Sequence, residues 1–176
     1  MSRKRNNEAM VKRLCLYGLL IALAFVLSYV ETLIPVAAVS FFVPGMKIGL
    51  ANIVVMVALY TLGARDAFIL SLIRIVLVGL TFGNTVSMIY SLSGGMLSYL
   101  VMLLLKLTGK FTMVTVSIAG GIFHNVGQIL MAALVLENAG VIGYLPVLAV
   151  SGTVTGLLIG LLGGEVTKRI RRVMDR

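Results

Sequence analysis

Charged residues and metal ligands are scarce in this sequence of 176 residues. Asp, Glu, Lys and Arg make up 12% of the positions, about half of their share in a typical soluble domain. Cysteine and histidine occur once each, as Cys15 and His124, which leaves no internal disulfide and no zinc site of ordinary ligand count. Aspartate occurs only at Asp66 and Asp175, which excludes the aspartate-rich metal site of diphosphate chemistry.

Motifs for catalysis and energy coupling are missing as well. The chain has no G-x-x-x-x-G-K-[ST] sequence for a P-loop, and His124 has no evident carboxylate partner for a catalytic triad. No Asp or Glu is expected deep in a membrane span, where a proton-coupled carrier usually has one. We therefore predict a protein that is not an enzyme and that uses no catalytic residue, no cofactor and no metal.

Hydrophobic residues, in contrast, make up 60% of the chain, and the mean hydropathy is +1.09. These values predict an integral membrane protein. The net charge of +9 does not indicate a nucleic-acid partner, because ten of the 15 basic residues lie in two short tails. Basic tails are typical of the cytoplasmic side of a membrane protein, where anionic membrane lipid attracts them.

Six apolar segments have about the length that a membrane-spanning helix needs, which is roughly 20 residues. They are 14–34, 46–63, 67–82, 86–105, 112–136 and 144–164. The predicted fold class is an all-α integral membrane protein, a six-transmembrane-helix bundle. Its single transmembrane domain covers 14–164, between a basic tail at 1–13 and another at 165–176.

The charge distribution predicts the orientation of this bundle. With six spans, both tails lie on one side of the membrane, together with the loops that hold Arg65, Lys106 and Lys110. That side then carries 13 of the 15 basic residues. We therefore expect the N- and C-termini to be cytoplasmic.

Two basic residues are not explained by topology. Lys47 begins the second span, and either its side chain reaches the outer headgroups or it faces a pocket. Arg74 lies near the middle of the third span, where a charge costs about 2.5–3.5 kcal/mol on insertion scales and normally faces the bundle interior. Arg74 either pairs with Glu31 or Glu137 for structural reasons or belongs to a functional pocket.

Polar side chains also follow one face of the fifth span. Ser117, Gly121, His124 and Gln128 are spaced four, three and four residues apart, and Asn125 lies on the adjoining flank. Unsatisfied amides in hydrocarbon cost several kcal/mol, so these groups either bind neighbouring helices or line a ligand pocket.

A pocket is predicted if the polar groups of three spans pack together. Lys47, Arg74 and His124, with Asn52 of the second span, would then meet in the outer half of the membrane. Such a pocket suits a small anionic or polar compound arriving from outside.

Glycines recur every four residues in the sixth span. They are Gly152, Gly156, Gly160 and Gly164. Small residues at this spacing allow close helix contact, either within the chain or with a partner protein.

Four ordered motifs give the chain a family resemblance. They are PGMKIGLANI at 44–53, Arg74, SLSGGMLS at 91–98 and GIFHNVGQ at 121–128. Together they resemble a bacterial family called heptaprenyl diphosphate synthase component I, or the Gx transporter family. That family in turn is similar to the substrate-binding S components of energy-coupling factor (ECF) transporters.

The resemblance implies a six-helix subunit of the bacterial cell (plasma) membrane that binds its substrate near the outer face. S components associate with a membrane T subunit and two ABC ATPases, commonly through an A-x-x-x-A motif of the first helix. Gly18 and Ala22 stand at those positions here. The motif positions expected to contact substrate are Lys47, Asn52, Arg74, His124, Asn125 and Gln128.

Three functions remain open at this stage. The first is the substrate-binding membrane subunit (S component) of an ECF-type importer. The second, suggested by the family's other label, is an accessory or catalytic component of polyprenyl (heptaprenyl) diphosphate synthesis. The third is a self-sufficient carrier or channel that oligomerises through its glycine stripes.

Overall fold

The computed structural model describes residues 2–33, 47 and 49–174, and every regular element in these ranges is helical. The helices are α1 (Ser2–Leu33), α2 (Asn52–Thr61), α3 (Ala64–Phe82), α4 (Thr85–Thr108), α5 (Met113–Val135) and α6 (Leu145–Met174), with a 3-10 helix at Ala139–Tyr144 before α6. By length and composition, four helical stretches can cross a membrane: Met10–Glu31, Thr85–Thr108, Met113–Val135 and Ala139–Met174. The predicted all-helical membrane protein is confirmed at this level.

The second and third helices differ from the predicted spans. The expected segment 46–63 contains a helix of only 10 residues, which is roughly 15 Å long. It begins late because Gly49 has a φ of +90°, a left-handed value that belongs to a turn. Helix α3 has 19 residues, but three of them, Arg65, Asp66 and Arg74, are charged, which is more than in the apolar windows of the four stretches.

Helix α2 lies in the centre of the bundle. It is apolar on all sides after Asn52, and its residues from Val54 to Leu59 are all buried. A short helix without a polar face is stable only when other helices surround it. Here α1, α3 and α6 pack around it, and Tyr99 of α4 and Val116 of α5 complete the same core.

Glycines hold α5 and α6 in close contact. A Cβ atom added to Gly152 would lie 2.6 Å from the carbonyl oxygen of Gly121, and one added to Gly156 would lie 2.6 Å from that of Ser117. The glycine stripe of α6 therefore packs within the chain at these positions. A Cβ at Gly164, in contrast, would meet nothing within 4 Å.

The first half of α1 and the last half of α6 lie at the same end of the bundle, which we call the terminal end. Arg171 of α6 donates from Nη2 to the carbonyl oxygen of Tyr60 at 2.7 Å, and Lys106 of α4 donates to that of Leu59. These carbonyls belong to the last turn of α2, where cations interact favourably with the helix dipole. Helices α1 and α6 continue into the basic tails, so most of both tails is helical.

Candidate functional site

The candidate site lies at the opposite end of α2, around its N-terminus. A small cavity there has a volume of about 20 Å³. The described residues of its lining are Ser28, Glu31, Lys47, Gly49, Arg74, Ile75, Val78, Ser91 and His124. The volume is enough for about one water molecule, so a larger ligand enters only if the lining rearranges.

Arg74 of α3 is buried in this site, with 8% of its surface exposed. Its Nη2 donates to Oδ1 of Asn52 at 3.0 Å, across the gap between α3 and α2. Its Nε has no hydrogen-bond partner within the described ranges. Arginine carries five N–H groups, so the described residues leave at least this donor of the guanidinium without an acceptor.

Glu31 of α1 provides a carboxylate in the same site, and sequence reasoning missed its role. The sequence named Glu31 only as a structural partner for Arg74, but it lines the cavity and is only 6% exposed, at the last residue of the apolar stretch Met10–Glu31. Its Oε1 accepts a hydrogen bond from the backbone N–H of Gly49, and Arg74 and Lys47 attract it electrostatically. The buried face of α1 signals this position, because Leu20, Ala24, Ser28 and Glu31 follow each other at helical spacing.

A chain of hydrogen bonds joins His124 of α5 to the segment that leads into α2. Gln128 accepts from the backbone N–H of Lys47 at 3.3 Å through Oε1, and its Nε2 lies 2.7 Å from Nε2 of His124. His124 and Gln128 are 2% and 1% exposed. Nδ1 of His124 lies beside the α4 backbone at Gly94 and has no standard hydrogen bond within the described part of the chain.

Glycine at position 94 is what lets α4 approach this chain. A Cβ there would lie 2.6 Å from the carbonyl oxygen of His124 and 2.8 Å from Cγ of Gln128. Nearby, the hydroxyl of Ser93 donates to the carbonyl oxygen of Gly127 at 2.8 Å. The SLSGGMLS motif therefore packs directly against the GIFHNVGQ motif.

The structure brings five of the six predicted site residues together. Lys47, Arg74 and His124 line the cavity, Asn52 binds Arg74, and Gln128 binds His124.

Asn125 faces α6 instead. Its Nδ2 donates to the carbonyl oxygen of Leu148 at 2.7 Å. Ser117 and Gly121 face α6 as well, so the polar stripe of α5 divides between the site and the contact with α6.

The predicted docking residues lie away from the site. Gly18 and Ala22 are exposed on the outward face of α1, and a Cβ at Gly18 would meet nothing within 4 Å. Exposed Leu14, Leu19 and Val26 lie on the same helix. This part of α1 therefore has an exposed surface of small and apolar residues.

A bundle of apolar helices around a buried, charge-lined cavity defines a membrane protein with an internal polar site. In sequence, the family model for heptaprenyl diphosphate synthase component I matches residues 20–166. The chain therefore belongs to that family, as its motifs predicted. No curated protein and no solved structure matches the chain.

Proposed function

We propose that the chain is the substrate-binding membrane subunit (S component) of an ECF-type importer. In this proposal the bundle of six helices lies in the bacterial plasma membrane with both termini in the cytoplasm, and the site opens toward the outer face. The observation that carries the proposal is the cluster of buried Arg74 and His124 with half-buried Lys47 around a cavity. Burying such groups is costly, and in membrane proteins they commonly mark the path or site of a polar ligand.

The ligand in this proposal is a small anionic or polar compound. Lys47 and Arg74 supply positive charge, while Asn52, His124 and Gln128 position them through directional hydrogen bonds. Asn125 is the weakest of the six predicted contacts because its amide already binds Leu148.

The energy for import comes, in this proposal, from a T subunit and two ABC ATPases. The exposed Gly18 and Ala22 of α1 are the proposed contact with the T subunit, since small residues on a lipid-facing surface allow another helix to pack closely. The chain itself then acts as a binding protein without a catalytic residue, a cofactor or a metal.

Co-purification tests this assembly. The tagged protein is extracted from its native host in mild detergent, and the proteins bound to it are identified by mass spectrometry. We expect a T subunit and two ATPases with the wild-type chain, and their loss with Gly18→Leu combined with Ala22→Leu. Gly164→Leu is the matched control, because a Cβ at Gly164 also meets nothing within 4 Å. Wild-type protein that recovers no such subunits contradicts the proposal.

The family's description favours a second candidate, an accessory or catalytic component of polyprenyl diphosphate synthesis. The chain has only two aspartates, Asp66 and Asp175, and so lacks an aspartate-rich motif for a catalytic role. In the same co-purification experiment, this candidate predicts recovery of a soluble prenyl synthase without ATPases.

A further inference from the structure

The described lining of the cavity includes four ionisable side chains, those of Glu31, Lys47, Arg74 and His124, and the sum of their charges is the charge that a ligand meets. Glu31 is negative, and Lys47 and Arg74 are positive. Residues 34–46 and 48 contain no Asp, Glu, Lys, Arg or His, so this segment adds no charge to the site. The protonation of His124 and Glu31 then decides the total.

His124 is neutral in this arrangement because its partners are fixed. The backbone N–H of Lys47 is a donor only, so the atom of Gln128 that faces it must be the carbonyl Oε1. The amide nitrogen of Gln128 therefore faces His124 and donates to Nε2. An Nε2 that accepts a hydrogen bond carries no proton, so the single ring proton is on Nδ1.

We assign the charged form to Glu31 because of the donors and cations around its carboxylate. Its carboxylate accepts the backbone N–H of Gly49, the amide of Leu50 contributes as well, and two cations lie nearby. Burial disfavours the charged form, whereas the two backbone donors and the two neighbouring cations favour it. The carboxylate also sits just before the N-terminus of α2, where the helix dipole favours an anion.

We infer that the site selects a small organic compound with one negative charge, and that Glu31 is the residue that determines this selectivity. The inference rests on the proposed binding function. With Glu31 ionised and His124 neutral, the lining carries one net positive charge. A monoanion neutralises it, whereas a diphosphate or a dicarboxylate leaves excess negative charge in a medium of low dielectric constant.

Glu31→Gln tests the selectivity. It keeps the size and the acceptor that binds Gly49 but removes one negative charge, which raises the net charge of the lining by one. Glu137→Gln is the matched control, because Glu137 is an exposed acid outside the cavity.

The probes are benzoate, isophthalate and inorganic pyrophosphate, added at neutral pH and constant ionic strength to the purified full-length chain in nanodiscs. The readout is the affinity obtained from the shift in thermal unfolding. We expect wild-type protein and Glu137→Gln to bind benzoate more tightly than either polyanion. In Glu31→Gln, the ratio of benzoate to isophthalate affinity should fall by about tenfold or more.

Two outcomes overturn the inference. One is the same ratio of benzoate to isophthalate affinity in wild-type protein and Glu31→Gln, and the other is that no anion stabilises any of the three proteins. A failure of the importer proposal is visible separately. If monoanion selectivity is found but no T subunit or ATPases co-purify, the charge selectivity stands and the transport role is wrong.

Discussion

The two ends of α2 both hold charged side chains, but in opposite surroundings. At the terminal end, Arg171 and Lys106 bind the last carbonyls of the helix, and the Arg171 contact is exposed. At the other end, Glu31 and Arg74 line the same cavity near the first turn and are almost fully buried. The same residue types thus stabilise a helix terminus at one end and form a costly cluster at the other.

The difference shows that the charges at the buried end are not explained by a contribution to stability. Basic side chains at a helix C-terminus donate hydrogen bonds to its last carbonyl groups, and their charged ends stay near water. A buried ion cluster is weak evidence for stability, because desolvation offsets the attraction between the charges. Its presence around the cavity therefore supports the proposed binding role.

The largest expected effect is from removing one charge of the buried cluster. Arg74→Met leaves Glu31 with one cation fewer, which should cost about 3–5 kcal/mol in the free energy of unfolding. Adding Glu31→Gln should restore part of that loss. Denaturant unfolding in detergent micelles measures both, and additive losses in the double variant would contradict an interaction between the two groups.

Helix packing should also differ between the two ends. Gly152→Ala places a Cβ against the Gly121 carbonyl near the site, so we expect a loss of about 1–3 kcal/mol. Gly164→Ala, in the same stripe but with open space, should be neutral or stabilise the helix by up to about 1 kcal/mol. The same unfolding assay compares them, and equal losses at both positions would contradict the close contact.

Breaking the hydrogen-bond chain around Gln128 should have an intermediate to small effect on the free energy of unfolding. Gln128→Leu removes the acceptor of the Lys47 N–H and the donor to His124, at a cost of about 1–2 kcal/mol. Hydrogen exchange should become faster at Lys47 and Gly49, while α2 near Leu59 stays protected. Unchanged exchange at Lys47 would show that Gln128 does not hold this segment.

The smallest effect is expected for the ion pair at the terminal end. Arg13 of α1 pairs with Asp66 of α3, but 53% of the arginine side chain is exposed. Water and salt screen such pairs, so Arg13→Gln should change the thermal unfolding midpoint only slightly. Any difference from wild-type protein should shrink as salt is added, and a loss as large as that of Arg74→Met would contradict the contrast between the ends.

Much of the candidate site could be predicted from sequence because polar residues are rare here. In an apolar chain, Arg74, His124 and Gln128 stand out, and the cost of burying them predicts that they meet. Glu31 did not stand out because it lies near the end of the first apolar run, where a carboxylate usually reaches water. The partners of Asn125 could not be predicted, since a residue between two faces of α5 can pack against either neighbour.

Composition and hydropathy by themselves determined that the chain is a helical membrane protein, because apolar segments of this length cannot be solvated by water. The motifs determined its family. Only the tertiary structure decided that α2 is a short buried helix, that Gly49 turns the chain before it, and that Glu31 joins Arg74 at its N-terminus. These features depend on contacts between distant segments, and the spacing of residues along one helix does not specify which neighbour it meets.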